Sequence, residues 1–144
     1  MIFIAEIGLN HNGNFNLCYE MIKQAKLSGA DIVKFQLGWR SKKNEINHIT
    51  LPILKDLIQW SNYFDIEIMF SIFTDDHFNM IKKFNLKSYK IASRTLVENI
   101  SLVKKIINSK KNIYISTGML QTTKIPIKVT KNINILWCKS KYPT

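Results

Sequence analysis

Lys90-Ile91-Ala92-Ser93 closes one short apolar run, and Ser116-Thr117-Gly118-Met119 closes the next. Both runs read as buried strands, over residues 88–92 and 112–116. A residue at the carboxyl end of a buried strand either turns the chain or faces a ligand, and here these places hold a Lys and small hydroxyls. Three further stretches occupy equivalent positions: Ala5-Glu6-Ile7-Gly8-Leu9-Asn10-His11-Asn12-Gly13, Lys34-Phe35-Gln36, and Trp137-Cys138-Lys139-Ser140-Lys141-Tyr142-Pro143-Thr144.

Working outward, strand and helix patterns alternate along the chain. Strands are expected at 2–7, 31–37, 66–72, 88–92, 112–116 and 133–138. Helices are expected at 15–28, 51–63, 75–85 and 96–109. Leu17, Met21, Ile22 and Ala25 recur at helical spacing. Asn14 or Asn16 is placed to cap that first helix and Gly29 to end it, while Pro52 suits the first turn of the second. The polar stretch 38–50 reads as a loop, and 120–132, which contains Pro126, holds a small helix or none. Such alternation implies a parallel sheet in one domain. The expected fold class is α/β, of the (β/α)8 TIM-barrel type, with functional residues at the carboxyl ends of its strands. A complete barrel of that kind takes about 250 residues, so 144 residues predict about six of its βα units. A six-stranded open α/β fold is the alternative.

Composition narrows the function. The chain is 46% hydrophobic, enough for one core, and has no apolar run long enough for a membrane span. The apolar start lacks a basic flank and runs into Glu6, so a cytoplasmic protein without membrane partner is expected. Cys18 and Cys138 are expected to be free thiols. The net charge is +11, but the lysines are scattered in pairs such as Lys42-Lys43 and Lys82-Lys83, with no stripe interleaved with aromatics. Solvated helix faces explain that pattern better than nucleic-acid binding. His11 lies in the first loop, from which it can face the site. His48 and His77 read as ordinary surface residues, and no spacing suggests a metal cluster.

Each candidate has a plain reading and a chemical one. Glu6 ends an apolar strand, where a carboxylate is costly unless paired or bound to a ligand; otherwise it belongs to a capped turn. Lys34 and Gln36 are two residues apart on one strand and share a face opposite Phe35. A buried Lys34 needs an anion, either Glu6 in an internal salt bridge or a bound phosphate or carboxylate. Lys90 and Ser93 repeat the pattern, with Ser71, Ser116 and Thr117 adding hydroxyls. One such Ser is a turn residue; lysines and hydroxyls at several strand ends suit a phosphate. No Gly-rich phosphate loop is present.

In this order the five motifs resemble the N-terminal catalytic domain of the sialic acid synthase family (NeuB-type), which includes legionaminate and pseudaminate synthases. The resemblance runs from Ile4 to Thr144. It implies condensation of phosphoenolpyruvate with an N-acylmannosamine-type sugar, giving a nonulosonic acid and phosphate for surface polysaccharides. It implies that Lys34, Ser71, Lys90, Ser93 and Ser116 hold the enolpyruvate. Gln36, Ser140 and Tyr142 would contact the sugar, and Glu6 would be the catalytic carboxylate. It also implies a divalent metal, Mn2+ or Mg2+, whose His ligands follow the segment corresponding to this chain. No metal ligand is therefore expected within residues 1–144. A homodimer is implied as well, built with a C-terminal antifreeze-like (SAF) domain that these residues do not contain. Arg94 and Thr95 stand where the family usually has Gly and an acidic residue, so the acidic sugar contact is missing. Trp137 replaces a His. The alternative to a synthase is a truncated, non-catalytic form that at most binds phosphorylated small molecules.

Overall fold

The computed structural model describes residues 1–39 and 45–140. The expected positions of Lys42, Lys43 and Tyr142 lie outside the described residues. The chain divides into two compact units, Met1–Ser71 and Ile72–Thr144. Six strands follow one another in chain order.

The first unit holds β1 (Ile4–Gly8), α1 (Asn16–Leu27), β2 (Ile32–Leu37), α2 (Leu51–Tyr63) and most of β3 (Glu67–Ile72). β1 and β2 are parallel, pairing Ile4 with Ile32, Ala5 with Val33 and Glu6 with Lys34. The register then slips, and Gly8 faces Phe35 across a bulge. Gly8 permits the slip because its φ is +58°, the left-handed region that a side chain disfavours. Val33, Phe35, Leu37, Met69 and Phe70 are fully buried with Cys18 and Ile22 of α1 and Leu54 and Leu57 of α2. Burial of this apolar surface supplies the main driving force for the unit. Phe35 and Phe70 stack with ring centres 6.0 Å apart.

α1 begins differently from expectation. Neither Asn14 nor Asn16 caps it; Phe15 is the N-cap residue and no side chain bonds the first turn. A run of turns leads in instead, Asn10 N–H to Ile7 O, Asn12 N–H to Leu9 O and Asn14 N–H to His11 O. The Asn14 carbonyl then accepts from Leu17 N–H, so the backbone takes the role expected of a side chain. Gly29, at φ +82°, does end the helix.

The second unit holds α3 (Asp75–Ile81), β4 (Ser88–Ile91), α4 (Ser93–Glu98), α5 (Ile100–Ile107), β5 (Asn112–Ser116) and β6 (Ile133–Leu136). β4 and β5 are parallel, as are β5 and β6. α3 stops short of residue 85. Thr74 caps it, accepting from His77 N–H at 3.3 Å and meeting His77 Nδ1 at 2.6 Å, so His77 belongs to the cap. The single helix expected over 96–109 is two helices. Asn99 leaves helical geometry (φ −139°, ψ 67°) and its side chain accepts from Leu102 N–H, capping α5. The first of the two starts at Ser93, earlier than the apolar periodicity indicates. Residues 120–132 carry no helix. Among the described residues no helix is long and apolar enough to cross a membrane.

Candidate functional site

The sequence-predicted residues assemble into two clusters, one in each unit. In the first, parallel pairing sets Glu6 directly beside Lys34, and their side chains form an ion pair. Lys34 Nζ also lies 3.3 Å from Ser71 Oγ, to which it donates. Lys34 and Ser71 are buried, whereas the Glu6 side chain is 51% exposed. The internal salt bridge considered for Lys34 is therefore present, and its carboxylate half remains open to solvent. Gln36 lies on the Lys34 face of β2, and its Nε2 and Glu6 Oε1 both reach the hydrogen-only side of Gly8. A Cβ there would stand 3.1 Å from Glu6 Oε1. Gln36 Oε1 is buried and accepts no hydrogen bond from any described residue. A buried amide oxygen of this kind is a ready acceptor for a ligand hydroxyl or a water.

His11 lies away from this cluster. It is fully buried, 4.7 Å from the Phe15 ring and 6.4 Å from the Phe35 ring, on the face of β2 opposite Lys34 and Gln36. Burial pushes its pKa down and keeps the imidazole neutral. Cys18, buried in α1, has its thiol pushed up to about 12 by desolvation.

In the second cluster Lys90 is buried at the end of β4. Its Nζ donates to Ser116 Oγ at 2.7 Å, on the adjacent strand β5, and to Ile91 O at 2.8 Å. Ser93, at the start of α4, shares a hydrogen bond of 3.0 Å with Ser140. Gly118 belongs to the Ser116–Met119 motif, and its contacts show why it is a glycine. A Cβ there would fall 2.6 Å from both Cys138 O and Ser140 Oγ. Bare backbone at 118 is what lets the segment after β6 approach the end of β5. Thr117 fastens the same join through its N–H to Leu136 O, at 3.1 Å.

The two departures after Ser93 have distinct surroundings. Thr95 is buried and its hydroxyl donates to Ile72 O at 3.4 Å. Arg94 is exposed and bonds Glu98 at 3.0 Å, one helical turn on. Trp137, where a His was expected from the resemblance, is 90% exposed. Among the described residues no group of three or more His, Cys, Asp or Glu can hold a metal ion. The residues present do not fit the divalent metal implied by the resemblance, and no step is derived through it.

Each cluster sets a buried lysine ammonium beside a serine hydroxyl of another strand, and the first adds a half-open carboxylate. Such groups can neutralise and hydrogen-bond an anion while leaving a carboxylate for proton transfer. The chain is 34% identical, over 98% of its length, to an uncharacterised protein of Methanocaldococcus jannaschii, of which it covers 47%. It is 29% identical, over 99% of its length, to the N,N'-diacetyllegionaminic acid synthase of Campylobacter jejuni, of which it covers 52%. It thus spans about half the length of these relatives. The structure of an N-acetylneuraminic acid (sialic acid) synthetase from Leptospira borgpetersenii, crystallised with citrate, superposes with a TM-score of 0.83. It is 26% identical, and the match covers 99% of this chain and 55% of that one. Six parallel strands alternating with helices make the fold an incomplete (β/α)8, TIM-barrel type. The NeuB family model matches residues 42–144, and the chain belongs to the NeuB family.

Proposed function

We propose that this chain contributes the enolpyruvate-binding part of a nonulosonic acid synthase, which joins phosphoenolpyruvate to an N-acylmannosamine-type sugar and releases phosphate. The observation that carries the reading is a pair of buried lysines, each bonded to a serine hydroxyl: Lys34, within β2, with Ser71, and Lys90, next to the end of β4, with Ser116. Buried ammonium groups held this way are preorganised for an anion, because little rearrangement remains when the anion arrives.

In this reading carbon 3 of the enolpyruvate attacks the sugar aldehyde, water adds at carbon 2, and phosphate leaves with cleavage of its C–O bond. Lys34, Ser71, Lys90, Ser93 and Ser116 bind the anionic groups of the enolpyruvate. Lys34 exchanges its ion pair with Glu6 for the substrate, and the freed carboxylate takes a proton from the adding water. Gln36 Oε1 accepts from a sugar hydroxyl, and Ser140 and Tyr142 contact the same sugar. With Arg94 replacing a glycine and Thr95 replacing an acid, the sugar differs from the usual N-acetylmannosamine. Divalent-metal dependence belongs to the same proposal, with the metal held by ligands from outside residues 1–144, and so do homodimer assembly and a cytoplasmic location.

The test is thermal unfolding of the full chain with and without phosphoenolpyruvate. A saturating ligand at a hundred times its Kd stabilises by about 2.7 kcal/mol, so a concentration-dependent rise in Tm is expected. No shift at millimolar phosphoenolpyruvate overturns the reading. A shift without turnover when the amino sugar is added supports the alternative, a non-catalytic binder of phosphorylated small molecules.

A further inference from the structure

We propose that Asn12 is a self-modification site, at which the Gly13 backbone nitrogen attacks the Asn12 side-chain amide while His11 Nδ1 takes the Gly13 amide proton. The proposal is independent of the synthase reading.

Asn12-Gly13 is the one Asn-Gly pair in the sequence. Glycine matters because the attacking nitrogen then has no neighbouring side chain to hinder ring closure. Asn12 is exposed, sits in the left-handed region (φ +44°), and its side chain bonds no described residue. Its backbone is pinned, with Asn12 N–H donating to Leu9 O at 2.9 Å.

The base is already in place. Gly13 N–H donates to His11 Nδ1 at 3.3 Å. An accepting Nδ1 carries no proton, so the ring proton is on Nε2, which is buried and without a partner among the described residues. Phe15 and Phe35 pack against the ring. Burial disfavours the imidazolium, so the Nδ1 lone pair stays available.

The chemistry balances without an outside reagent other than water. The Gly13 nitrogen forms a bond to Asn12 Cγ and loses its proton to His11. The Cγ–N bond of the side-chain amide breaks, and the departing nitrogen takes that proton from His11 and leaves as ammonia. The resulting succinimide is opened by water at either carbonyl, giving Asp or isoaspartate. Isoaspartate adds a methylene to the backbone next to Gly13. There is no slack for it: even a Cβ at Gly13 would stand 2.9 Å from Ile46 O. Modification therefore loosens the β1–α1 loop from the segment at residue 46 and adds negative charge to it.

The full chain is incubated at neutral pH, and Asp and isoaspartate are quantified by peptide mapping with fragmentation that separates the isomers. Conversion is expected at Asn12 while Asn108, also exposed and followed by Ser109, keeps its amide. The same chain in urea, where the His11–Gly13 contact is gone, is expected to convert more slowly. His11→Phe, which keeps an aromatic ring against Phe15 and Phe35, is expected to slow conversion about a hundredfold or more, the range of general-base effects. An intact Asn12, or a native chain no faster than the unfolded one, overturns the proposal. So does a folded His11→Phe variant that converts at the original rate. If that variant does not fold, the native-against-urea comparison decides.

Discussion

Ser93 Oγ and Ser140 Oγ lie 3.0 Å apart, joining the first residue of α4 to the segment that follows β6. One residue is proposed to hold the enolpyruvate and the other the sugar. Their hydrogen bond exists because Gly118 leaves room for the backbone at 138–140. The second cluster thus rests on one bare backbone position as much as on its polar side chains.

Gly118→Ala tests that dependence. With 2.6 Å between the new Cβ and both Cys138 O and Ser140 Oγ, the segment after β6 must move. Overpacking of this kind costs about 1–3 kcal/mol, so urea unfolding is expected to show a lower midpoint. Any stabilisation by phosphoenolpyruvate is expected to weaken as Ser140 withdraws from Ser93.

Lys90→Met separates stability from binding. The variant no longer donates to Ser116 Oγ and Ile91 O, and leaving these acceptors without that donor costs about 1–3 kcal/mol. It is expected to unfold at a lower Tm and to show no phosphoenolpyruvate-dependent rise from that new baseline. A retained shift would remove Lys90 from the proposed anion site.

Asn99→Ala removes the cap that starts α5. The expected loss is about 1 kcal/mol, typical for an N-cap Asn. Asn99→Asp, which keeps an accepting oxygen, is expected to restore most of it in the same denaturation assay.

The thiols are expected to behave differently. Cys18 is fully buried, with its pKa pushed up to about 12 by desolvation, whereas Cys138 is partly exposed. A disulfide exchange reagent at mildly alkaline pH should label Cys138 in the native chain. Cys18 should react after denaturation, because it is then accessible and can ionise.

His11 gives stability a pH dependence of definite sign. Its folded pKa lies below the ordinary 6.5 through desolvation. The unfolded chain therefore binds the proton more readily. The stability from a neutral His11 is fully present above about pH 6.5 and is lost as pH falls through the folded pKa. His11→Phe is expected to flatten that part of a Tm–pH profile and leave the more acidic part, where carboxylates titrate, unchanged.

Element type was legible where one physical signal dominated. The apolar runs ending at Lys90 and Ser116 and the helical spacing from Leu17 to Ala25 all became the elements they suggest. The break at Asn99 was hidden because the apolar positions on both sides keep helical spacing, and a side-chain cap leaves no mark on that periodicity. The start of α1 departs from its sequence signal for the reverse reason: Asn14 and Asn16 are good caps in isolation, but a chain of backbone turns leads into the helix instead. At the candidate site, the Lys34–Glu6 pairing was foreseeable from residue types. The bulge at Gly8, the unpartnered Gln36 oxygen and the crowding at Gly118 depend on contacts distant in sequence.

The slipped register of β1 separates two kinds of variation. Pairing with β2 is complete through Glu6 and Lys34, and the extra residue is taken up before Gly8 faces Phe35. A change in the length of the turns from Leu9 to Asn14 is thus absorbed beyond the point where the carboxylate is fixed. Such a joint uncouples the tip of the strand from the charge beneath it.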